Sequence, residues 1–160
     1  MRPTLAWATV RILLPVSSLV VALDWFTKEW ANQKGWIVLE NSGISFGMWQ
    51  QHGAFWSALI PVIWVGIVFM LFFKELPTHP WPNSLLVGGG LANLLDRAFT
   101  GGVRDWLPVP FTTIYNNLAD WAIITAFIWM WACTQRLRHQ KSRLDEDVKK
   151  SIATALKRRT

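Results

Sequence analysis

Four apolar stretches, separated by short polar connections, limit this chain more than any other feature. They cover residues 5–26, 55–73, 83–99 and 118–133. A helix that crosses a hydrocarbon core about 30 Å thick needs roughly 20 mostly apolar residues, and each stretch approaches or meets that length. The first holds Leu13, Leu14, Leu19, Val20 and Val21, and the second ends sharply at Lys74-Glu75. The third is weaker, with Gly88-Gly89-Gly90 inside it and Asn93, Asp96 and Arg97 late in it. The fourth opens near Asp120 and closes before Arg136 and Arg138. The expected fold is an all-α integral membrane protein of four helices. Composition agrees: 16% of the 160 residues are charged, against about 25% in a water-soluble domain. There are twelve Trp and one Tyr, and Trp favours the membrane–water interface, where its ring is apolar and its N–H needs a partner. Arg11 interrupts the first stretch, and Asp24-Trp25-Phe26 stands where a cleavage site needs small residues, so this segment reads as a retained helix.

Basic residues set the orientation. Arg136, Arg138, Lys141, Arg143, Lys149, Lys150, Lys157, Arg158 and Arg159 follow the fourth stretch, which assigns the tail to the cytoplasm. With four spans the N-terminus and Lys74 share that side, and the connections 27–54 and 97–117 face outward. The expected organisation is therefore a membrane domain over 1–135 and a basic tail over 136–160. In the tail Leu144, Val148, Ile152 and Leu156 recur every four residues, the pattern of an amphipathic helix.

On this topology the acids collect at the outer surface. Asp24 falls near the outer end of the first span, Asp96 near that of the third, and Asp120 in the first turn of the fourth. Asp105 sits in the last outer connection, and Glu40 with Asn41-Ser42-Gly43 in the first. An ionisable group inside a span is expensive and so a functional candidate. Asp24 with Lys28 forms an i,i+4 pair that serves equally well as a helix-end anchor. Asn117 suits the N-cap before Asp120. Two carboxylates held close do not both ionise, so one keeps a proton while the other accepts one from water, the requirement of aspartic proteolysis. The three His (His52, His79, His139) lack metal-ligand spacing, the single Cys133 forms no internal disulfide, and no Ser/His/Asp set or phosphate-cradling Gly loop competes. A proton-coupled carrier is the rival from another class, but it needs polar groups near the midplane and repeated halves, and neither is visible.

Four blocks then match a family. They are Asp24-Trp25-Phe26-Thr27-Lys28; Asn41-Ser42-Gly43-Ile44-Ser45-Phe46-Gly47; Gly89-Gly90-Leu91-Ala92-Asn93-Leu94-Leu95-Asp96-Arg97 with Val103-Arg104-Asp105-Trp106; and Asn117-Leu118-Ala119-Asp120. In this order, over most of residues 20–125, the chain resembles the bacterial lipoprotein signal peptidases (signal peptidase II). The resemblance implies a membrane aspartyl endopeptidase that cuts prolipoproteins on the N-terminal side of the diacylglyceryl-cysteine. Its catalytic pair falls on Asp105 and Asp120, with Asp24, Lys28, Asn41, Gly43, Asn93, Asp96, Arg97 and Asn117 shaping the site. It implies a small β-rich outer segment over residues 36–49, and the run Trp36-Ile37-Val38-Leu39 suits a strand. Lipidated prolipoprotein and membrane lipid are the implied partners, with no nucleic acid, metal or cofactor, a monomeric state and residence in the bacterial inner membrane. The chain departs from the family pattern at Arg104, Ala92 and Asn116. A catalytically inactive relative that binds lipidated peptides is the second reading.

Overall fold

The computed structural model describes residues 3–41, 53–74 and 79–157. Gly43 and most of the outer segment 36–49 lie outside these residues. Four helices carry the chain: α1 (Pro3–Gln33), α2 (Gly53–Lys74), α3 (Pro80–Thr100) and α4 (Leu118–Lys157). Among the described residues there are also four short strands: β1 (Leu39–Asn41), β2 (Val103–Asp105), β3 (Leu107–Pro108) and β4 (Tyr115–Asn116). Among the described residues, Val10–Gln33 is long and apolar enough to cross a membrane, and Leu59–Phe69 within α2 is a shorter apolar helix.

Two compact units emerge, residues 1–127 and 128–160. The second is helical through Lys157 and carries its apolar side chains Leu137, Leu144 and Val148 exposed, with a Lys150–Glu146 ion pair one turn apart at 2.8 Å.

Helix ends in the first unit follow from local chemistry. Gly35 takes a left-handed φ of 68° and closes α1 in a Schellman arrangement. There Trp36 N–H donates to Ala31 O (3.0 Å) and Gly35 N–H to Asn32 O (3.1 Å). Gly101, at φ 86°, ends α3 with its N–H on Arg97 O at 3.1 Å. The strands pair antiparallel as β1–β2 and β3–β4, with Leu39 opposite Asp105, Glu40 opposite Arg104 and Asn41 opposite Val103. Residues 42–49 of the expected β-rich segment lie outside the described residues, and its described part supplies β1. Of the described strands only β1 lies there, and the other three lie between α3 and α4. Strand pairing starts at Leu39 rather than Trp36 because β2 reaches no further. Trp36 instead packs against Trp30 and Trp106, with ring centroids 4.9 and 5.5 Å away.

Burial is inverted relative to a water-soluble protein. Among the described residues, the largest fully buried side chains are Lys28, Asn83, Asn117, Asp24, Asp96 and Ser84. Phe26, Val62, Phe69 and Phe127 meanwhile stand exposed. Water would drive the opposite arrangement. The interhelical contacts use small residues, as helices do when lipid rather than water surrounds them. Gly88-Gly89-Gly90 shows this at its closest. Successive residues turn about 100° around a helix, and each glycine faces a different neighbour. A Cβ on Gly88 would sit 2.9 Å from the Ser17 backbone of α1, and one on Gly89 would sit 2.6 Å from Ala119 O of α4. A Cβ on Gly90 would overlap the Trp64 indole of α2.

These contacts differ in how readily they yield. Gly89→Ala forces two backbones apart and is expected to lower stability by about 1–3 kcal/mol. Gly90→Ala needs only a side-chain rotation of Trp64 and is expected to lose less than half as much. Thermal unfolding of the two purified variants in detergent micelles checks the order.

Candidate active site

Asp105 ends β2, and Asp120 lies in the first turn of α4. Asparagine amides hold both side chains. Asn117 Nδ2 donates to Asp105 Oδ1 at 2.6 Å, and Asn41 Nδ2 donates to Asp105 Oδ2 at 3.3 Å. Asn93 Nδ2 donates to Asp120 Oδ1 at 2.8 Å. The remaining oxygen of Asn117 accepts the Asp120 backbone N–H at 2.9 Å, the N-cap bond expected of an Asn three residues before it. One buried side chain therefore grips both acids.

Behind them runs a chain of buried charge. Lys28, fully buried, places Nζ 2.6 Å from Asp24 Oδ2 and 3.0 Å from Asp96 Oδ2. Asp24 Oδ1 accepts the Ala119 N–H at 2.9 Å, setting a carboxylate at the start of α4, where the helix dipole favours it. Asp96 accepts three bonds from Arg104: the backbone N–H at 2.7 Å, Nε at 2.9 Å and Nη2 at 2.7 Å. The Arg104 guanidinium also lies 5.1 Å from the centre of the Trp25 ring and 3.7 Å from Glu29.

Asp105 and Asp120 both line a cavity of about 580 Å³. Asn41, Asn93, Arg97 and Asn116 line it with them, and the rest of its wall is apolar. Ile60, Ile63, Trp64 and Ile67 come from α2, Leu86, Gly90 and Leu94 from α3, Val103 from β2, and Ile123, Ile124 and Phe127 from α4. Such a space accepts an extended apolar ligand and offers it two carboxylates, a guanidinium and several amides. Burial, followed by the Asp120 charge, raises the Asp105 carboxyl from 3.8 to about 6. The Asn117 and Asn41 amides and the Lys28 ammonium pull the other way.

The positions singled out by sequence are therefore brought together on one side of this unit, apart from Gly43, which lies outside the described residues. Asp105, Asp120, Asn41, Asn93 and Arg97 line the cavity, Asn117 clamps the two acids, and Asp24, Lys28 and Asp96 form the charged chain. Asp96 pairs with Lys28 and Arg104. Sequence reasoning missed Asn116 and Trp64 as lining residues. Neither position has a periodic or charge signal, although Gly90 pointed to a close neighbour.

A family model described as signal peptidase (SPase) II matches residues 16–135, well over half of the chain. The chain belongs to the signal peptidase II family. Its relatives include the lipoprotein signal peptidase of Brevibacillus brevis, 32% identical over 127 residues, covering 68% of this chain and 84% of that protein. That of Xylella fastidiosa strain M12 is 29% identical over 150 residues, covering 79% of this chain and 89% of the relative. The fold resembles that of a bacterial membrane enzyme solved by the in meso method at 2.3 Å. The TM-score is 0.66 at 20% identity, over 77% of this chain and 87% of that one. A second in meso structure of a bacterial membrane enzyme, at 1.9 Å, gives 0.64.

Because folded Asp105 holds its proton more tightly than the unfolded chain does, its contribution to stability falls as pH rises from about 4 to about 6 and is level above that. Asp105→Asn carries no charge and lacks this dependence. Relative to the parent, the variant is expected to gain on the order of 2 kcal/mol between pH 4 and pH 7. Unfolding midpoints of both proteins, measured in micelles across that range, give the result.

Proposed function

We propose that this protein is an aspartic endopeptidase of the bacterial cytoplasmic membrane that removes signal peptides from lipid-modified prolipoproteins. In this reading Asp105 and Asp120 activate water. The observation that carries it is the pair of carboxylates, each fixed by an asparagine amide, at a cavity whose remaining wall is apolar. Family membership supplies the substrate class. The diacylglyceryl chains and the apolar signal sequence suit the aliphatic wall, and the peptide bond beside the modified cysteine comes to the acids.

The chemistry follows from sharing one proton. The ionised carboxyl takes a proton from water, whose oxygen adds to the scissile carbonyl carbon. The protonated carboxyl then gives its proton to the amide nitrogen as the C–N bond breaks. The two groups titrate as a unit. Arg97, at the same cavity, is charged complementarily to the oxyanion of the intermediate.

The helices α1 to α4 are read as the four spans, with the acids at the outer surface and both termini in the cytoplasm. The exposed apolar faces of α1 and α2, the buried ionic groups and the basic residues of 136–160 support this topology. The spans and their loops over 1–135 make up the catalytic domain, 136–160 forms a cytoplasmic tail, and the enzyme acts as a monomer.

The test is cleavage of a synthetic diacylglyceryl prolipopeptide by purified protein. Asp105→Asn and Asp120→Asn are each expected to lower kcat/KM by roughly 10²–10⁴-fold while still binding substrate. Undiminished cleavage by both variants would overturn the assignment.

A further inference from the structure

Successive side chains of a strand point to opposite faces. In β2, Asp105 faces the cavity while Arg104 meets Asp96 on α3. Arg104 does so through its backbone N–H as well as its guanidinium, at 2.7, 2.9 and 2.7 Å. The guanidinium fork closes on Asp96 Oδ1 while the backbone N–H takes Oδ2, so both carboxylate oxygens fix Arg104 in orientation as well as distance. β2 is only three residues long, so this clamp settles where its last residue lies. Charge matters as much as geometry. Asp24 and Asp96 contribute two buried negative charges, and Lys28 and Arg104 two positive ones. Glu29, near Arg104 at 3.7 Å, is half exposed and solvated.

We propose that Arg104 is a positioning residue for the Asp105–Asp120 pair, holding β2 in place through Asp96 and completing the charge balance of the ionic cluster behind the two acids. The proposal rests on the reading of those acids as the reacting pair.

Lys28 lies close enough to act electrostatically on both carboxylates, which ties the cluster's balance to their titration. The charged groups around the pair can be named element by element. They are Asp24, Lys28 and the rim residue Glu29 from α1, Glu40 from β1, and Asp96 and Arg97 from α3. Described α2 contributes no charge before its final Lys74. Removing Arg104 leaves one unbalanced negative charge away from water. Negative charge strengthens proton binding by both carboxyls, so both limbs of the activity profile move to higher pH. Removing the Asp96 charge reverses the imbalance and moves both limbs down.

The experiment is the pH profile of prolipopeptide cleavage by the full-length protein in micelles, from pH 4 to 9, with unfolding midpoints recorded alongside. Arg104→Met is expected to shift both limbs upward by roughly half a unit or more and to lower kcat about tenfold at the parent's optimum. Arg104→Lys restores the charge and returns the limbs to the parental positions, with kcat only partly recovered because the fork is gone. Asp96→Asn shifts the limbs downward, and the double variant Asp96→Asn/Arg104→Met brings them back. Unmoved limbs in both Arg104→Met and Asp96→Asn overturn the proposal, as does a shift in Arg104→Met that Arg104→Lys fails to reverse. If Arg104→Met does not fold, Asp96→Asn and the double variant still decide. A parent protein that cleaves nothing at any pH counts against the proposed function instead.

Discussion

The Lys28 ammonium, buried between Asp24 and Asp96, is the contact on which the rest of the first unit depends. Few groups are more expensive to remove from water than an unpaired charge. Once Lys28 is buried, α1 and α3 must each present a carboxylate at its level, and both do. Asp24 then reaches α4 through the Ala119 N–H, and Asp96 reaches β2 through Arg104. A single buried cation thus sets α1, α3, the start of α4 and the strand bearing Asp105 in mutual register. Such a cluster adds little net stability compared with a well-packed apolar core. Here it supplies specificity, since any slip of α1 against α3 strands a charge.

The site is assembled from groups that titrate and groups that do not. Asparagine amides donate to Asp105 and Asp120, Arg97 shares their cavity, and the Lys28 cluster stands one layer behind. Amide donors orient a carboxylate without imposing a full opposite charge, so a raised proton affinity survives at Asp105. A lysine in direct contact would lock the carboxylate ionised and remove it from acid–base work. The arrangement thus separates orientation from charge control.

Local chemistry made part of this legible in the sequence. The Asp24–Lys28 spacing and the Asn117 cap are short-range signals, and each keeps its expected form. The assignment of Asp105 rather than Asp24 as a reacting acid came from block matching alone, because a loop aspartate has no periodicity to betray it. Contacts across the fold were not readable. Asn41 meets Asp105 from 64 positions away, through a strand pairing that no local pattern announces. Arg104 could be seen to break an apolar block, but its partner lies across the turn at Gly101-Gly102, where helix spacing no longer applies. Residues 107–116 read in the sequence only as part of the outward connection 97–117, yet they fold as the β3–β4 hairpin.

The glycine triplet bears on mechanics as well as packing. At Gly88 and Gly89 helix α3 rests against the backbones of α1 and α4, which are stiff surfaces. At Gly90 it rests against a single indole ring of α2, which can swing about two torsions. Compliance at this level of the bundle is therefore concentrated between α2 and α3. Trp64 also belongs to the apolar wall of the cavity. On the proposed function, a bulky hydrocarbon guest is accommodated by displacing one ring, while α3 keeps its spacing to α1 and α4.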